Sequence, residues 1–422
     1  MDGKNTERSV MKKILLLGGA QCQRSGIKKG RNMGIRMLVA DYGEKPLGLG
    51  KEDEHLKIST FDPKACVQAA KQWNVDGVMT MGTDQPVLTA AIVAEALKLP
   101  SWLTVPQARA VTNKKWMKKC LEKAGIPTPD WQLVSLSSEG NSPVFGLPLF
   151  SGPVVLKPLD SQGQRGVFRL ESPGEVVAHL PLTLSHSREK EALLEEYYPS
   201  QEITVSGWVW EEELTVLSIT DRLHLEEGKH IGIARGHRFP SQHHLWTEAI
   251  VQMSKEVQKA FQITHGPLYI QLLLGEKGLL VNEVACRIGG AFEDQFIPLL
   301  TGFDILESVI LGALGETPSL KPLKGYDFSS VAGTASVQLL FASPGKIHWI
   351  TPEEQVMKFP YVVDVGYNYK IGDWIGAAEN ATQRLGHCVL VNPEGPVEPS
   401  VKLFQERFQV LDEKGRNLYR VL

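Results

Sequence analysis

The stretch Tyr269-Ile270-Gln271-Leu272-Leu273-Leu274, a glycine-containing turn, and then Leu279-Leu280-Val281-Asn282-Glu283-Val284-Ala285-Cys286-Arg287-Ile288-Gly289-Gly290 decides the fold. Two apolar runs joined by a short turn read as a β-hairpin, which places Gln271 and Glu283 on paired strands. Both offer hard oxygen donors of the type Mg2+ prefers, leaving phosphate oxygens and water to complete an octahedron. Arg287 and the backbone of Gly289-Gly290 then face an anion. A polar hairpin edge accounts for the first two residues but gives no reason for the arginine and the glycines.

Upstream, Val154-Val155-Leu156-Lys157-Pro158-Leu159-Asp160-Ser161-Gln162-Gly163-Gln164-Arg165-Gly166-Val167 is a buried strand that ends in a lysine and runs into a polar glycine loop. Such a loop offers free backbone N–H groups to phosphate while the lysine adds a point charge; no Gly-Lys-Ser/Thr opens a helix, so it is not a Walker loop. A surface hairpin with a solvated lysine has the same appearance. Between the two segments, Leu193-Leu194-Glu195-Glu196-Tyr197-Tyr198-Pro199-Ser200-Gln201-Glu202-Ile203-Thr204-Val205 is a strand broken at a proline. Glu195 and Glu202 could face one cleft across that break, one accepting from an adenine amino group and the other from ribose hydroxyls, or both could simply be solvated.

Further upstream, a charged helix from Asn113 to Ala124 is closed by Gly125 and the prolines at 127 and 129. The first residues alternate strand and helix: Lys12-Lys13-Ile14-Leu15-Leu16-Leu17-Gly18-Gly19, a second strand at Gly34 to Asp41, a helix at Pro63 to Trp73 and a strand at Gly77 to Met81. That alternation predicts a doubly wound parallel sheet. The turn Gly18 to Gln23 lacks the third glycine of a dinucleotide fingerprint, so ordinary turn chemistry is favoured over nicotinamide binding. Beyond Ser330 the chain is strand-rich and punctuated by Gly and Pro, and reads as a C-terminal appendage.

Composition narrows the function classes. With 422 residues, 42% hydrophobic and 22% charged, the chain should form two to four packed domains, which excludes a disulfide miniprotein and a disordered chain. Lys plus Arg number 45 against 48 Asp plus Glu, a formal net charge of −3, so nothing draws the whole protein to nucleic acid or an anionic membrane. The apolar run Ile14 to Leu17 is too short for a signal-peptide core or a bilayer span. Five cysteines without a CxxC pair fit a reducing compartment and give no zinc framework, so a cytoplasmic location is expected.

The three segments in this order, preceded by a lysine-bearing helix, resemble the ATP-grasp superfamily. Asn113-Lys114 and Leu121-Glu122-Lys123-Ala124-Gly125-Ile126-Pro127 are similar to its Asp-Lys and Ala-Gly-Ile-Pro elements, Asn113 replacing the aspartate. The resemblance implies that Lys114 and Lys157 contact ATP phosphates and that Asp160 to Gly166, with Ser161, Gln162, Gly163 and Gly166, form a flap over them. It implies that Glu195, Glu196 and Tyr198 form the adenine hinge, that Glu202 binds ribose, and that Gln271 and Glu283 hold Mg2+, or Mn2+ in its place. Gln271 stands where biotin carboxylase has glutamate, and Ala285 where many members have a ligand asparagine. Within the superfamily, Glu283 to Gly290 and Gly236-His237-Arg238-Phe239-Pro240-Ser241 look most like L-amino-acid ligases and other carboxylate-amine ligases. Gly345-Lys346-Ile347 and Arg384-Leu385-Gly386-His387 fit that group.

The implied fold is α/β: an N-terminal doubly wound domain at 1–105, an α+β ATP-grasp domain at 106–320 with a mobile lid at about 130–190, and a strand-rich C-terminal subdomain at 321–422. The implied reaction turns a carboxylate into an acyl phosphate, releases ADP, and lets an amine expel phosphate. Lys114, Lys157, Arg287 and Mg2+ would offset charge on the transferring group, and Gly289 and Gly290 would donate backbone N–H groups to the acyl-phosphate oxygens. Among His224, His230, His237, His243 and His244, His237 is the first choice of base for the amine. The partners are then a small carboxylate and a small amine, with homodimer formation left open. The rival readings are a purine-pathway or biotin-carboxylase-like enzyme and a non-catalytic ATP-binding module.

Overall fold

The computed structural model describes residues 11–50, 53–136, 143–144, 150, 152–227 and 230–420. Strand β1 (Lys13–Leu17) is the apolar run near the N-terminus, and Ile14 to Leu17 are all fully buried. Burial on both faces is what a parallel sheet covered by helices imposes. It pairs in parallel with β2 (Arg36–Asp41) and β4 (Gly77–Met79), and β2 pairs with β3 (Glu54–Lys57), giving the order β3-β2-β1-β4. Helix α1 (Arg24–Asn32) connects β1 to β2, α2 (Pro63–Trp73) connects β3 to β4, and α3 (Pro86–Leu97) follows β4.

Two helices follow, α4 (Val105–Thr112) and α5 (Lys114–Lys123), and the side chain of Asn113 caps the second by accepting from the N–H groups of Lys115 and Trp116. That role gives Asn113 a reason of its own in place of aspartate, since both residue types cap well. A five-stranded antiparallel sheet comes next, in the order β6-β5-β9-β7-β8: β5 (Trp131–Leu136), β6 (Pro143–Val144), β7 (Val154–Pro158), β8 (Phe168–Leu170) and β9 (Glu191–Glu196). Helix α6 (Pro173–Ser185) packs on it through Val176 and Leu180.

The largest sheet has eight antiparallel strands. It contains β10 (Ser200–Trp210), β11 (Glu213–Glu227), β12 (His230–Phe239), β13 (Gly266–Gly275), β14 (Gly278–Ala285), β15 (Thr334–Leu340), β16 (Val362–Tyr367) and β17 (Gly386–Asn392), in the order β14-β13-β10-β11-β12-β15-β17-β16. Alternation gives it two characters. Ile203, Val205, Ile270 and Leu272 pack with Met117 and Leu121 of α5 and with Ile250 and Val257 of α7 (Thr247–Ala260). Glu202, Thr204 and Gln271 point to the opposite face.

The strands beyond residue 330 are not appended as a separate layer: β15 pairs with β12, so the C-terminal chain lengthens the same sheet. One apolar cluster then runs from Ile14, Leu16 and Val39, through α8 (Glu293–Thr301) and α9 (Ile305–Ala313), to Val337 and Val389. Among the described residues no single helix is long and apolar enough to cross a membrane.

Candidate active site

The hairpin β13–β14 carries an irregularity. Gln271 pairs with Glu283 and Leu272 with Val281, so Asn282 is an extra residue. Such a bulge breaks the two-residue alternation, and Asn282 and Glu283 are both half-buried in a strand whose neighbours Val281 and Val284 are fully buried. Each anchors a lysine from another element. Asn282 Oδ1 accepts from Lys157 Nζ at 3.0 Å, and Glu283 Oε1 lies 3.1 Å from Lys114 Nζ. Burial alone would raise the Glu283 carboxyl, but Lys114, Lys157 and Arg287 hold it below its ordinary value. Two lysines, a carboxylate and two neutral carbonyl oxygens thus converge on one floor.

Lys114 Nζ also donates to the Ser161 carbonyl at 3.1 Å, which ties helix α5 to the glycine loop. Gly163 and Gly166 have φ of 69° and 71°, the left-handed region that favours glycine. The Gln162 side chain crosses to the first sheet, where its Oε1 accepts from the N–H groups of Asp84 at 2.7 Å and Gln85 at 3.1 Å. Ser161 Oγ and Gln271 Oε1 are buried and have no hydrogen-bond partner. Orphaned polar atoms of this kind are costly unless a ligand or water completes them. Their positions fit phosphate oxygens at Ser161 and a hard divalent cation at Gln271. Among the described residues no cluster of three or more His, Cys, Asp or Glu side chains forms a closed metal cage, so Gln271 and Glu283 would leave most of the shell to phosphate and water.

The hinge differs from expectation at Glu195. Its side chain is 1% exposed and is clamped between Lys118 and Lys157. Burial would raise its carboxyl, yet the two ammonium groups hold it down to about 2. Both oxygens are paired with lysines, so in this arrangement Glu195, at the wall of the cleft, holds Lys157. Glu196 pairs with Lys277 at 2.7 Å, and Tyr198 donates its hydroxyl to the Gly278 carbonyl at 2.9 Å. With Val155, Val167 and Leu273 they line a cleft of about 130 Å³ whose mostly polar walls include Lys157, Glu202 and Asn282. Glu202 is ion-paired with Arg222, and His224 Nε2 is 2.9 Å from its Oε2. These two groups overcome burial and lower its carboxyl to about 2.

His237 does not suit the role of base. It is buried in β12 with Nδ1 3.1 Å from Thr220 Oγ1, and burial together with Arg222 and His224 drops its imidazole to about 3. A ring so weakly basic cannot hold a proton near neutral pH. Gly289 and Gly290 have a packing reason as well as any role in donating N–H groups. A Cβ on the first would lie 2.1 Å from Glu293 Oε1, and on the second 2.7 Å from the Gly82 carbonyl, so this turn can press against the start of α8 and the segment after β4 only without side chains. Arg287 is buried over the Tyr269 ring at 4.6 Å and is ion-paired with Asp84.

Sequence reasoning missed Lys118, Asn282, Arg222, Asp84 and Glu293. The first two left a trace: a lysine one turn after Lys114 on the apolar face of a helix, and two consecutive polar residues inside a buried strand. The other three are placed by strand pairing and by contacts across long sequence separations, which no local pattern encodes.

Residues 111–291 match the ATP-grasp domain family, and residues 338–395 match the L-amino acid ligase C-terminal domain 2. The chain thus carries an ATP-grasp domain followed by an L-amino acid ligase C-terminal domain. It is 21% identical over 343 residues to dapdiamide A synthase of Enterobacter agglomerans, covering 80% of this chain and 79% of that protein. It is 25% identical over 287 residues to an L-arginine-specific L-amino acid ligase of Bacillus subtilis, covering 66% and 67%. The crystal structure of an L-amino acid ligase from Bacillus licheniformis superposes with a TM-score of 0.78 at 20% identity, over 95% of this chain and 99% of that one. With its ATP-grasp domain the chain is therefore an ATP-dependent ligase of the ADP-forming, carbon–nitrogen bond-forming kind, similar to L-amino-acid ligases and dapdiamide A synthase.

Proposed function

We propose that the protein joins a small carboxylate to a small amine through an acyl phosphate. The observation that carries this reading is the meeting of Lys114, Lys157, Glu283 and the buried Gln271 Oε1 on one floor. Three chain segments supply cations for phosphate and oxygens for a metal ion there. In this reading the adenine occupies the cleft beside Tyr198 and Leu273, and the ribose lies over Glu202. Lys114 turns from Glu283 to the phosphates, and Lys157, still held by Asn282 and Glu195, gives its third donor to them. Gln271 and Glu283 hold Mg2+ or Mn2+, which when bound supplies positive charge beside the phosphates.

A carboxylate oxygen attacks the γ-phosphorus of ATP, the bond to the β-phosphate oxygen breaks, and ADP leaves. The amine nitrogen then attacks the acyl carbon, phosphate departs with the electron pair of the C–O bond, and the nitrogen gives up its proton. The chain's own residues position the groups and offset charge, which is most of what phosphoryl transfer needs. Arg287, with Asp84 fixing its guanidinium, presents a five-donor fork to the carboxylate and the transferring phosphate. Ser161 and Gln162 close over the phosphates and exclude water from the acyl phosphate.

The experiment is ADP release with ATP, Mg2+ and a panel of carboxylates, with hydroxylamine to trap acyl phosphate as hydroxamate. Carboxylate-dependent hydroxamate is expected from the wild type, and Glu283→Gln should lower its rate by about 100-fold or more. Full activity in that variant would remove the hairpin as the metal site. A wild type that yields no hydroxamate with any carboxylate would overturn the reading.

A further inference from the structure

A cavity of about 240 Å³ lies between β12, β15 and a C-terminal helix, α10 (Glu398–Arg407). It is on the far side of the eight-stranded sheet from the nucleotide cleft and shares no wall residue with it. Leu223 of β11 faces the cavity, whereas Arg222 and His224 on either side of it reach Glu202 on the opposite face.

Arg235 enters this cavity through a bulge. Leu223 pairs with Gly236 and His224 with Ala234, so Arg235 is an extra residue in β12. A bulge re-aims a side chain, and the side chain re-aimed here is half-buried, with its Nε fully buried and without a hydrogen-bond partner. A guanidinium N–H in that position has lost its water and gained nothing in return, a cost that an anion would remove.

Other donors converge from separate elements. Arg238 gives Nε and Nη2 to Asp221 at 3.1 and 2.6 Å, and Nη2 also to Gln242 at 2.9 Å, which leaves its Nη1. On β15 the buried Ser336 accepts from Gln338 Nε2 at 2.8 Å, and Gln338 accepts in turn from Gln405 Nε2 at 3.1 Å, so the Ser336 hydroxyl has its own proton to donate. Lys402, exposed on α10, has no ion pair among the described residues and adds a charge to the wall. Glu398 is the acidic side chain of the lining, and Asp221 neutralises Arg238 from outside it. Arg235 and Lys402 therefore leave positive charge in excess, in a chain whose formal net charge is −3.

The donors stand on β12, β15 and α10, and a tetrahedral phosphate with three terminal oxygens takes donors from more directions than a flat carboxylate with two. The volume lies below that of pockets built for drug-sized ligands, so the molecule carrying the anion is small. Leu339 and Val401 offer an apolar wall to a short carbon chain. We propose that this cavity binds a phosphate group, free as orthophosphate or carried by a small monoester, at a site separate from the one that takes ATP.

The test is isothermal titration of orthophosphate, methyl phosphate and acetate into the full chain at fixed ionic strength, with Mg2+ and a non-hydrolysable ATP analogue present at saturation. The wild type is expected to bind one equivalent of orthophosphate or methyl phosphate at least about tenfold more tightly than acetate. Arg235→Gln should weaken that binding by about tenfold or more, Ser336→Ala by about threefold to tenfold, and the exposed Lys402→Gln by about threefold. All three variants should bind the ATP analogue as the wild type does, which shows them folded. A lower Kd for methyl phosphate would identify an ester as the occupant and a lower Kd for orthophosphate the free ion, and either supports the site. Three results would each overturn it: acetate binding as tightly as phosphate, phosphate binding that vanishes when the analogue is present, or a Kd unchanged in both Arg235→Gln and Ser336→Ala.

Discussion

Glu293 shows how much one buried carboxyl can weigh on the fold. It stands at the start of α8 with Oε2 accepting from the Ala291 N–H at 3.1 Å and Oε1 without a partner, and burial pushes it up to about 7. Between its ordinary value of 4.5 and about 7 the folded chain keeps a proton that the unfolded chain has released. Stability from this group is therefore full below pH 4.5 and falls as pH rises through 7. Glu293→Gln keeps the shape and removes the titration. Urea unfolding at pH 5 and pH 8 should show the wild type losing stability relative to the variant by about 2–3 kcal/mol over that interval. Equal pH dependence in the two proteins would show that the carboxyl is already ionised at pH 5. Glu195 is the opposite case: two lysines keep it charged, and only strong acid removes its contribution. From sequence alone these two glutamates look alike, because the difference lies in which side chains the fold brings against them.

Secondary structure was legible wherever one face is apolar. The run Ile14 to Leu17, the helix capped by Asn113 and the hairpin from Tyr269 to Ala285 all occupy the places their periodicity predicts. The bulge at Asn282 was not anticipated, since a single extra residue changes pairing without changing the apolar pattern around it. Its effect is to turn two successive side chains toward the cleft, one for each lysine. Asn282→Ala leaves the strand pairing and Glu283 in place and removes only the 3.0 Å acceptor of Lys157. The lysine then leans on Glu195 alone and its head is less well aimed. The KM for ATP should rise by about tenfold, the worth of one hydrogen bond to a charged group, with kcat reduced less and thermal stability little changed. Unchanged ATP affinity in steady-state kinetics would show that the bulge serves the strand and not the lysine.

At the scale of the molecule, the divisions drawn along the chain do not coincide with those in space. An N-terminal unit at 1–105 and a C-terminal unit at 321–422 are proposals about sequence segments. The apolar cluster and the eight-stranded sheet both run across them, since β15 pairs with β12 and Ile14 shares a core with Val389. Long-range pairing of this kind leaves no local trace. Gln162 links the same parts over the site: its Oε1 takes the N–H groups of Asp84 and Gln85 at the head of α3, while the neighbouring Gly163 carbonyl accepts from Ala381 at 3.0 Å. The glycine loop is thereby held against the first sheet on one side and the C-terminal segment on the other. An acyl phosphate beneath it survives only while water is kept out, so loosening the loop should waste the intermediate before it slows activation. Gln162→Ala removes the link to α3 and leaves the Gly163 contact. With carboxylate and ATP but no amine, ADP release should rise by about three- to tenfold, and the amide formed per ADP in the full reaction should fall accordingly. Measuring both products together distinguishes this from a binding defect, which would lower ADP release in each condition and leave their ratio at the wild-type value.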